Sequence, residues 1–139
     1  MDQKPEAVGG CMCGEVRYQG IGAPLHIGYC HCRSCRHHGG AAVAGMLVFK
    51  PENVRFTNGQ ISTYESSSGI RRGFCRRCGT SLTWEGHGLI SIHIGTLDDP
   101  DSFPPTLHWR YEERASWFED AAGLPHVLME FPPSDEDTT

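Results

Sequence analysis

Residues 74–82 read "FCRRCGTSL". Cys75 and Cys78 have two residues between them, and a glycine follows the second cysteine. Such a knuckle turns tightly enough for both sulfurs to face one metal ion. Gly79 can take the positive φ that lets backbone N–H groups point at the thiolates. "IRRGFC" (70–75) and "TSLTWEG" (80–86) read as strands on either side of it. A knuckle between two strands supplies half of a tetrahedral site, so the other half has to come from elsewhere in the chain.

"GGCMCGEVRY" (9–18) carries the same trailing glycine after Cys11 and Cys13, and a C-x-C pair can also present two sulfurs to one ion. Joining the two groups gives four thiolates, Cys11, Cys13, Cys75 and Cys78, the usual set for a closed structural zinc site. That site would staple the N-terminal segment to a hairpin some sixty residues on, where a clip gains most from loop entropy. The division leaves Cys30, Cys32 and Cys35 together in "YCHCRSCRHHGG" (29–40). Three protein ligands and a vacant fourth position describe a catalytic zinc site, and a small thiol held as thiolate would suit that place. Two other readings stay open. A histidine from His31, His37 or His38 could close a second structural site, making a non-enzymatic two-zinc binding or scaffold module, or the three cysteines could form a thiol redox sensor.

The totals bound the classes. The chain has 139 residues, enough for one domain with one hydrophobic core. Formal net charge is −5, which argues against nucleic acid as the main partner. No stretch of roughly 18 apolar residues suggests a membrane span. The start "MDQKPEAVGG" lacks the apolar segment of a secretory signal, so the expected location is the cytoplasm, where clustered cysteines serve as ligands rather than disulfides. With 17 glycines and 9 prolines, short strands and turns are favoured over long helices. Residues 1–7 are expected to be a flexible N-terminus, 8–131 the zinc domain, and 132–139, with "PPSDEDTT", a disordered acidic tail.

Strands are expected at 15–20, 24–30, 41–50, 53–59, 61–66, 70–75, 80–86, 89–97 and 106–111. Asn58-Gly59 signals a hairpin between the fourth and fifth of these. Only "RASWFEDA" (114–121) reads as a helical turn or a short helix. The class is mostly β: a single domain of short, mostly antiparallel strands. His26 and His93 read as satisfied structural side chains, His87 as an exposed turn residue, and His108 as facing either way. Trp84, Trp109 and Trp117 read as core. Arginines 33, 36, 71, 72, 76 and 77 lie beside the cysteine groups and can neutralise thiolate charge. Arg36 is the preferred candidate to hold a substrate carboxylate.

"GGCMCGEVRY", "CHCRSCRHHGG", "FCRRCGTSL" and "IGTLDDP" (94–100), in this order, closely resemble the glutathione-dependent formaldehyde-activating enzyme family, whose domain the centromere protein V relatives share. The likeness covers roughly residues 8 to 128. It implies a mostly β, tent-like fold similar to that of Mss4 zinc proteins. It implies that Cys11, Cys13, Cys75 and Cys78 hold a structural zinc and that Cys30, Cys32 and Cys35 hold a catalytic one. The implied activity joins formaldehyde to the thiol of glutathione and is classed, after its reverse, as a carbon–sulfur lyase. Glutathione or a similar small thiol and an aldehyde are the implied partners. Near "GTLDDP" and Trp117 the likeness implies structural roles.

Overall fold

The structure, a computed structural model, describes residues 6–128. In chain order the elements are β1 (Ala7–Gly10), β2 (Arg17–Gly20), β3 (His26–Cys30), α1 (Arg33–Gly39), β4 (Ala44–Phe49), β5 (Val54–Asn58), β6 (Ser62–Ser67), β7 (Ile70–Phe74), β8 (Ser81–Gly86), β9 (Leu89–His93) and β10 (Leu107–Trp109), with short 3-10 turns between some of them. The fold is mostly β, as the composition and the pattern of turns imply. The expected tail at 132–139 lies outside the described residues. Of the segment expected to be flexible, residues 1–5 also lie outside them, while Ala7 is fully buried and opens β1.

Two sheets form. One has three strands in the order β1-β2-β5, and the other has seven in the order β10-β3-β4-β9-β8-β7-β6. All pairings are antiparallel except β10 with β3, which run parallel. Successive strand side chains point to opposite faces, and in β4 both faces are used. Leu47 and Phe49 join Ile90 and Ile92 of β9 in a core with Tyr18 and Val16. Ala44 and Met46 pack with Cys30 and Cys35 on the opposite side. A strand buried on both faces reads as a continuous apolar run rather than an alternating one, which is why "AAVAGMLVFK" shows no clear period.

The segment after β9 fastens the small sheet. Tyr18 donates its hydroxyl to Thr96 Oγ1 at 2.7 Å, and Thr96 in turn donates to the His93 carbonyl at 2.7 Å. Asp98 N–H donates to the Val8 carbonyl at 2.9 Å. A Cβ on Gly9 would stand 2.2 Å from the Thr96 carbonyl oxygen, so only glycine permits this approach.

Three expectations are corrected. Asn58-Gly59 is a turn but not a hairpin: β5 pairs with β2, and β6 pairs with β7 in the other sheet. Asn58 Nδ2 donates to the Glu15 carbonyl at 2.8 Å, which ties the turn to the first cysteine loop. The helical turn or short helix expected at 114–121 is a 3-10 segment that begins later, at Phe118–Gly123, and Trp117 is 57% exposed rather than core. The α-helix stands instead at Arg33–Gly39, inside the middle cysteine cluster. There the Cys32 sulfur caps it by accepting from Cys35 N–H, and Gly40 ends it in the left-handed region at φ 62.

Candidate metal centres

Folding brings the seven cysteines together as four and three. The sulfurs of Cys11, Cys13, Cys75 and Cys78 lie within 4.8 Å of one another, and so do those of Cys30, Cys32 and Cys35. Each set could hold a metal ion. Among the described residues no further histidine, cysteine, aspartate or glutamate joins the three.

The quartet is built from two turns facing each other. Cys11 N–H donates to the Val16 carbonyl at 3.0 Å and Gly14 N–H to the Cys11 carbonyl at 3.1 Å. Across the gap, Gly79 N–H donates to the Cys75 carbonyl at 2.8 Å. Gly14 and Gly79 take φ of 81 and 80, the left-handed conformation their place after a cysteine pair calls for. Val16 N–H donates to the Cys11 sulfur at 3.2 Å. The Thr80 hydroxyl lies 3.2 Å from the Cys78 sulfur, and together with the Thr80 backbone N–H it lowers that thiol's pKa to about 5.

The trio sits where β3 runs into α1. Cys30 ends the strand, Cys32 caps the helix and Cys35 lies one turn in, so a C-x-C-x-x-C spacing converges without a long-range partner. Cys30 and Cys35 are 7% and 4% exposed. Arg72 reaches the cluster from β7. It is 5% exposed and donates from Nη1 to the Cys35 sulfur at 3.5 Å and from Nε to Ser66 Oγ at 3.0 Å. The neighbouring Cys30 thiol first, and then Arg72, hold Cys35 down at a pKa of about 5, while Cys30 is pushed up by Cys35 and by burial.

The trio opens into a cavity of about 430 Å³ on the outer face of the large sheet. Its floor is a cross-strand row. His26 faces Val48, Val48 faces Ser91, Ser91 faces Trp84 and Trp84 faces Arg72, and all five line the cavity. Met46, Leu89 and Trp109 add apolar wall, and His87 and Arg110 also border it. None of the quartet cysteines lines this space.

The expected histidines and Arg36 go elsewhere. His31 is fully buried, turned away toward His108, with its Nε2 2.9 Å from His108 Nδ1 and its ring edge-on to Tyr111 and Phe118. Burial first, then the charges of His108 and Arg114, lower its pKa. His37 is exposed, and His38 packs beside His93 with ring centroids 5.4 Å apart. The expectation that His26 and His93 are satisfied structural side chains is corrected. His26 is exposed at the cavity, and His93 is buried with Nε2 unpartnered. Arg36 donates from Nε to the His31 carbonyl at 3.1 Å and does not line the cavity. Trp84 and Trp109, expected in the core, are half-buried cavity walls, and His87 is an exposed turn residue at φ 52 as expected. Reading the sequence missed Arg72, Trp84 and Ser91 as one surface, because alternation shows which residues share a face of one strand but not which strands pair.

The sequence model of "Glutathione-dependent formaldehyde-activating enzyme" matches residues 6–113. This chain belongs to that family. An uncharacterized lyase of Schizosaccharomyces pombe is 31% identical over 78 residues, and the match spans 56% of either chain. A crystal structure of a Rhodobacter sphaeroides protein shares the fold at TM-score 0.57 and 20% identity, covering 73% of this chain and 99% of that one. The β-tent architecture expected of the family accords with the two sheets seen here. No helix among the described residues is long and apolar enough to cross a membrane.

Proposed function

We propose that this chain is a zinc-dependent carbon–sulfur lyase of the glutathione-dependent formaldehyde-activating type, making or breaking the C–S bond between a small thiol and an aldehyde. One observation carries the reading: three cysteine sulfurs converge with no fourth protein donor among the described residues, and they face a cavity large enough for a substrate. The quartet would then hold a structural zinc and Cys30, Cys32 and Cys35 a catalytic one. The donor sets fit, since four thiolates close a tetrahedron and three leave one position for substrate. Zinc, when bound there, would supply Lewis acidity and keep a substrate sulfur as thiolate at neutral pH.

The remaining work falls to the chain's own groups. In the lyase direction the adduct's hydroxyl gives up its proton, the C–S bond breaks with its electron pair going to sulfur, and the carbonyl re-forms. The synthase direction runs these events backwards. His26 and His87 are the histidines that line the cavity, and one of them would take or return the hydroxyl proton. Arg72 offsets the negative charge of the cysteine cluster from within the protein. Arg110, rather than Arg36, borders the space where a substrate carboxylate would lie. A cytoplasmic location fits a site that depends on reduced thiols.

The test is Cys32→Ser. It should lose one bound zinc, keep its circular dichroism spectrum, and lose acceleration of formaldehyde–glutathione exchange followed by NMR. A variant that keeps both metals or full exchange activity overturns the reading.

A further inference from the structure

We infer that the cavity beside Cys30, Cys32 and Cys35 selects a thiol, or its aldehyde adduct, whose bulk is apolar, an aryl or branched alkyl group, over a multiply charged peptide thiol such as glutathione. The inference rests on the reading of the trio as a thiol site and narrows its substrate class.

Size is the first ground. A one-carbon aldehyde fills little of about 430 Å³, so most of that space is shaped for the rest of the adduct. The character of the walls is the second. Val48 and Trp84 lie in the floor row, and Met46, Leu89 and Trp109 surround it. This wall is built in by the backbone. A Cβ on Gly28 would stand 2.8 Å from the Trp109 ring, so glycine in β3 is what lets that indole lie where it does. Trp109 and Trp84 both pack against the cluster of Cys30, Cys35, Ala44 and Met46, which puts two indoles next to the sulfurs.

Charge is the third ground. Glutathione carries an ammonium and two carboxylates. Among the described residues no aspartate or glutamate lines the cavity to meet the ammonium. Of the two arginines present, Arg72 is committed to Cys35 and Ser66. Arg110 is 67% exposed and lies 3.8 Å from Glu112. Carrying three charges into this space with one solvated cation to answer them is unfavourable, whereas an apolar group gains by leaving water.

The test compares benzyl mercaptan with glutathione on the metal-loaded full chain, by isothermal titration. Benzyl mercaptan should bind at least tenfold more tightly. Trp84→Ala should erase most of that difference, weakening benzyl mercaptan more than glutathione. Leu89→Ser, at a half-buried wall position, should narrow the difference in the same way if Trp84→Ala fails to fold. Equal affinities, tighter glutathione binding, or no effect of a folded wall variant overturns the inference. A parallel cobalt-substituted sample separates it from the reading beneath it. If both thiols alter the thiolate-to-cobalt absorption with no apolar preference, the thiol site stands and the inference falls. If benzyl mercaptan binds preferentially without altering that absorption, the apolar preference stands and the thiol site falls. No binding by either overturns both.

Discussion

The quartet and the trio use the same side chain in opposite ways. Cys11 and Cys13 meet Cys75 and Cys78 across more than sixty residues, so the quartet exists only once both sheets are in place. Cys30, Cys32 and Cys35 meet within six residues, at a strand end and the first turn of one short helix. The first arrangement closes a long loop; the second closes almost none. The quartet's neighbours are backbone amides, the Thr80 hydroxyl and the Glu15 carboxylate, and the cavity described above does not reach it. The trio's neighbours are a buried arginine and an indole-walled cavity. On the proposed reading, what separates a brace from a working site is less the ligand count than what surrounds the sulfurs.

The sharpest way to break this comparison is to remove one sulfur from each set. Cys75→Ser should abolish the folded state, because a structural zinc contributes on the order of 10 kcal/mol in small zinc domains. Cys75 is fully buried, so its loss cannot be made good by water. Cys32→Ser should leave a cooperative thermal melt close to that of the parent. Equal collapse of the two variants by circular dichroism would show that both clusters brace the fold.

That division was legible in the sequence because ligand spacing is a local signal and glycine after a cysteine pair is another. Gly14 and Gly79 take the φ that the motif demands. The strands were legible where one face is buried. Their partners were not. Nothing in "NVRFTNGQISTYES" tells β5 that it belongs to the small sheet and β6 that it belongs to the large one; that choice is made by Val54 and Phe56 packing on the common core. The cavity was illegible for the same reason, since His26, Val48, Ser91, Trp84 and Arg72 become neighbours only through four strand registers. The helix at 33–39 escaped because seven residues with one buried position carry no amphipathic period.

Mild acid should act on the trio's side first. His93 lies under α1 beside His38, with Arg72 nearby, and burial first, then those two charges, lower its pKa from 6.5 to about 4. The unfolded chain therefore takes up a proton that the folded chain refuses. Stability is complete above pH 6.5 and is lost as pH falls from there toward 4, by up to about 3 kcal/mol. Urea denaturation of the parent and of His93→Gln at pH 7 and pH 5 checks this. The parent should weaken more between the two pH values, and equal slopes would remove His93 from the account.

A smaller effect is expected at Arg72. Arg72→Met keeps the stem but removes the bonds to the Cys35 sulfur and Ser66. It should lower stability by roughly 2 kcal/mol, as for a buried hydrogen-bonding charge, and weaken zinc retention at the trio in a chelator competition. Unchanged retention would mean that the arginine packs beside the cluster without serving it.

The smallest effect belongs to the quartet's side. Arg17 donates from Nη1 to Asp98 Oδ1 at 3.0 Å and from Nη2 to Oδ2 at 2.5 Å, joining β2 to the segment that follows β9. The hydrogen bond from Arg17 holds the Asp98 carboxyl below its ordinary 3.8. A depressed carboxylate stabilises above its unfolded pKa, and that stability fades as pH drops below 3.8. Because Asp98 is 56% exposed, water and salt screen the pair, and Asp98→Asn should shift the melting temperature less than any change above. The shift should shrink in about 1 M salt and fade as pH falls from 3.8 through the lower pKa of the folded state. The two acid windows, one for His93 and one for Asp98, do not overlap. A melt series on His93→Gln and Asp98→Asn should show the His93 difference changing between pH 6.5 and about 4 while the Asp98 difference persists to lower pH, and coincident changes would show that the two groups are coupled.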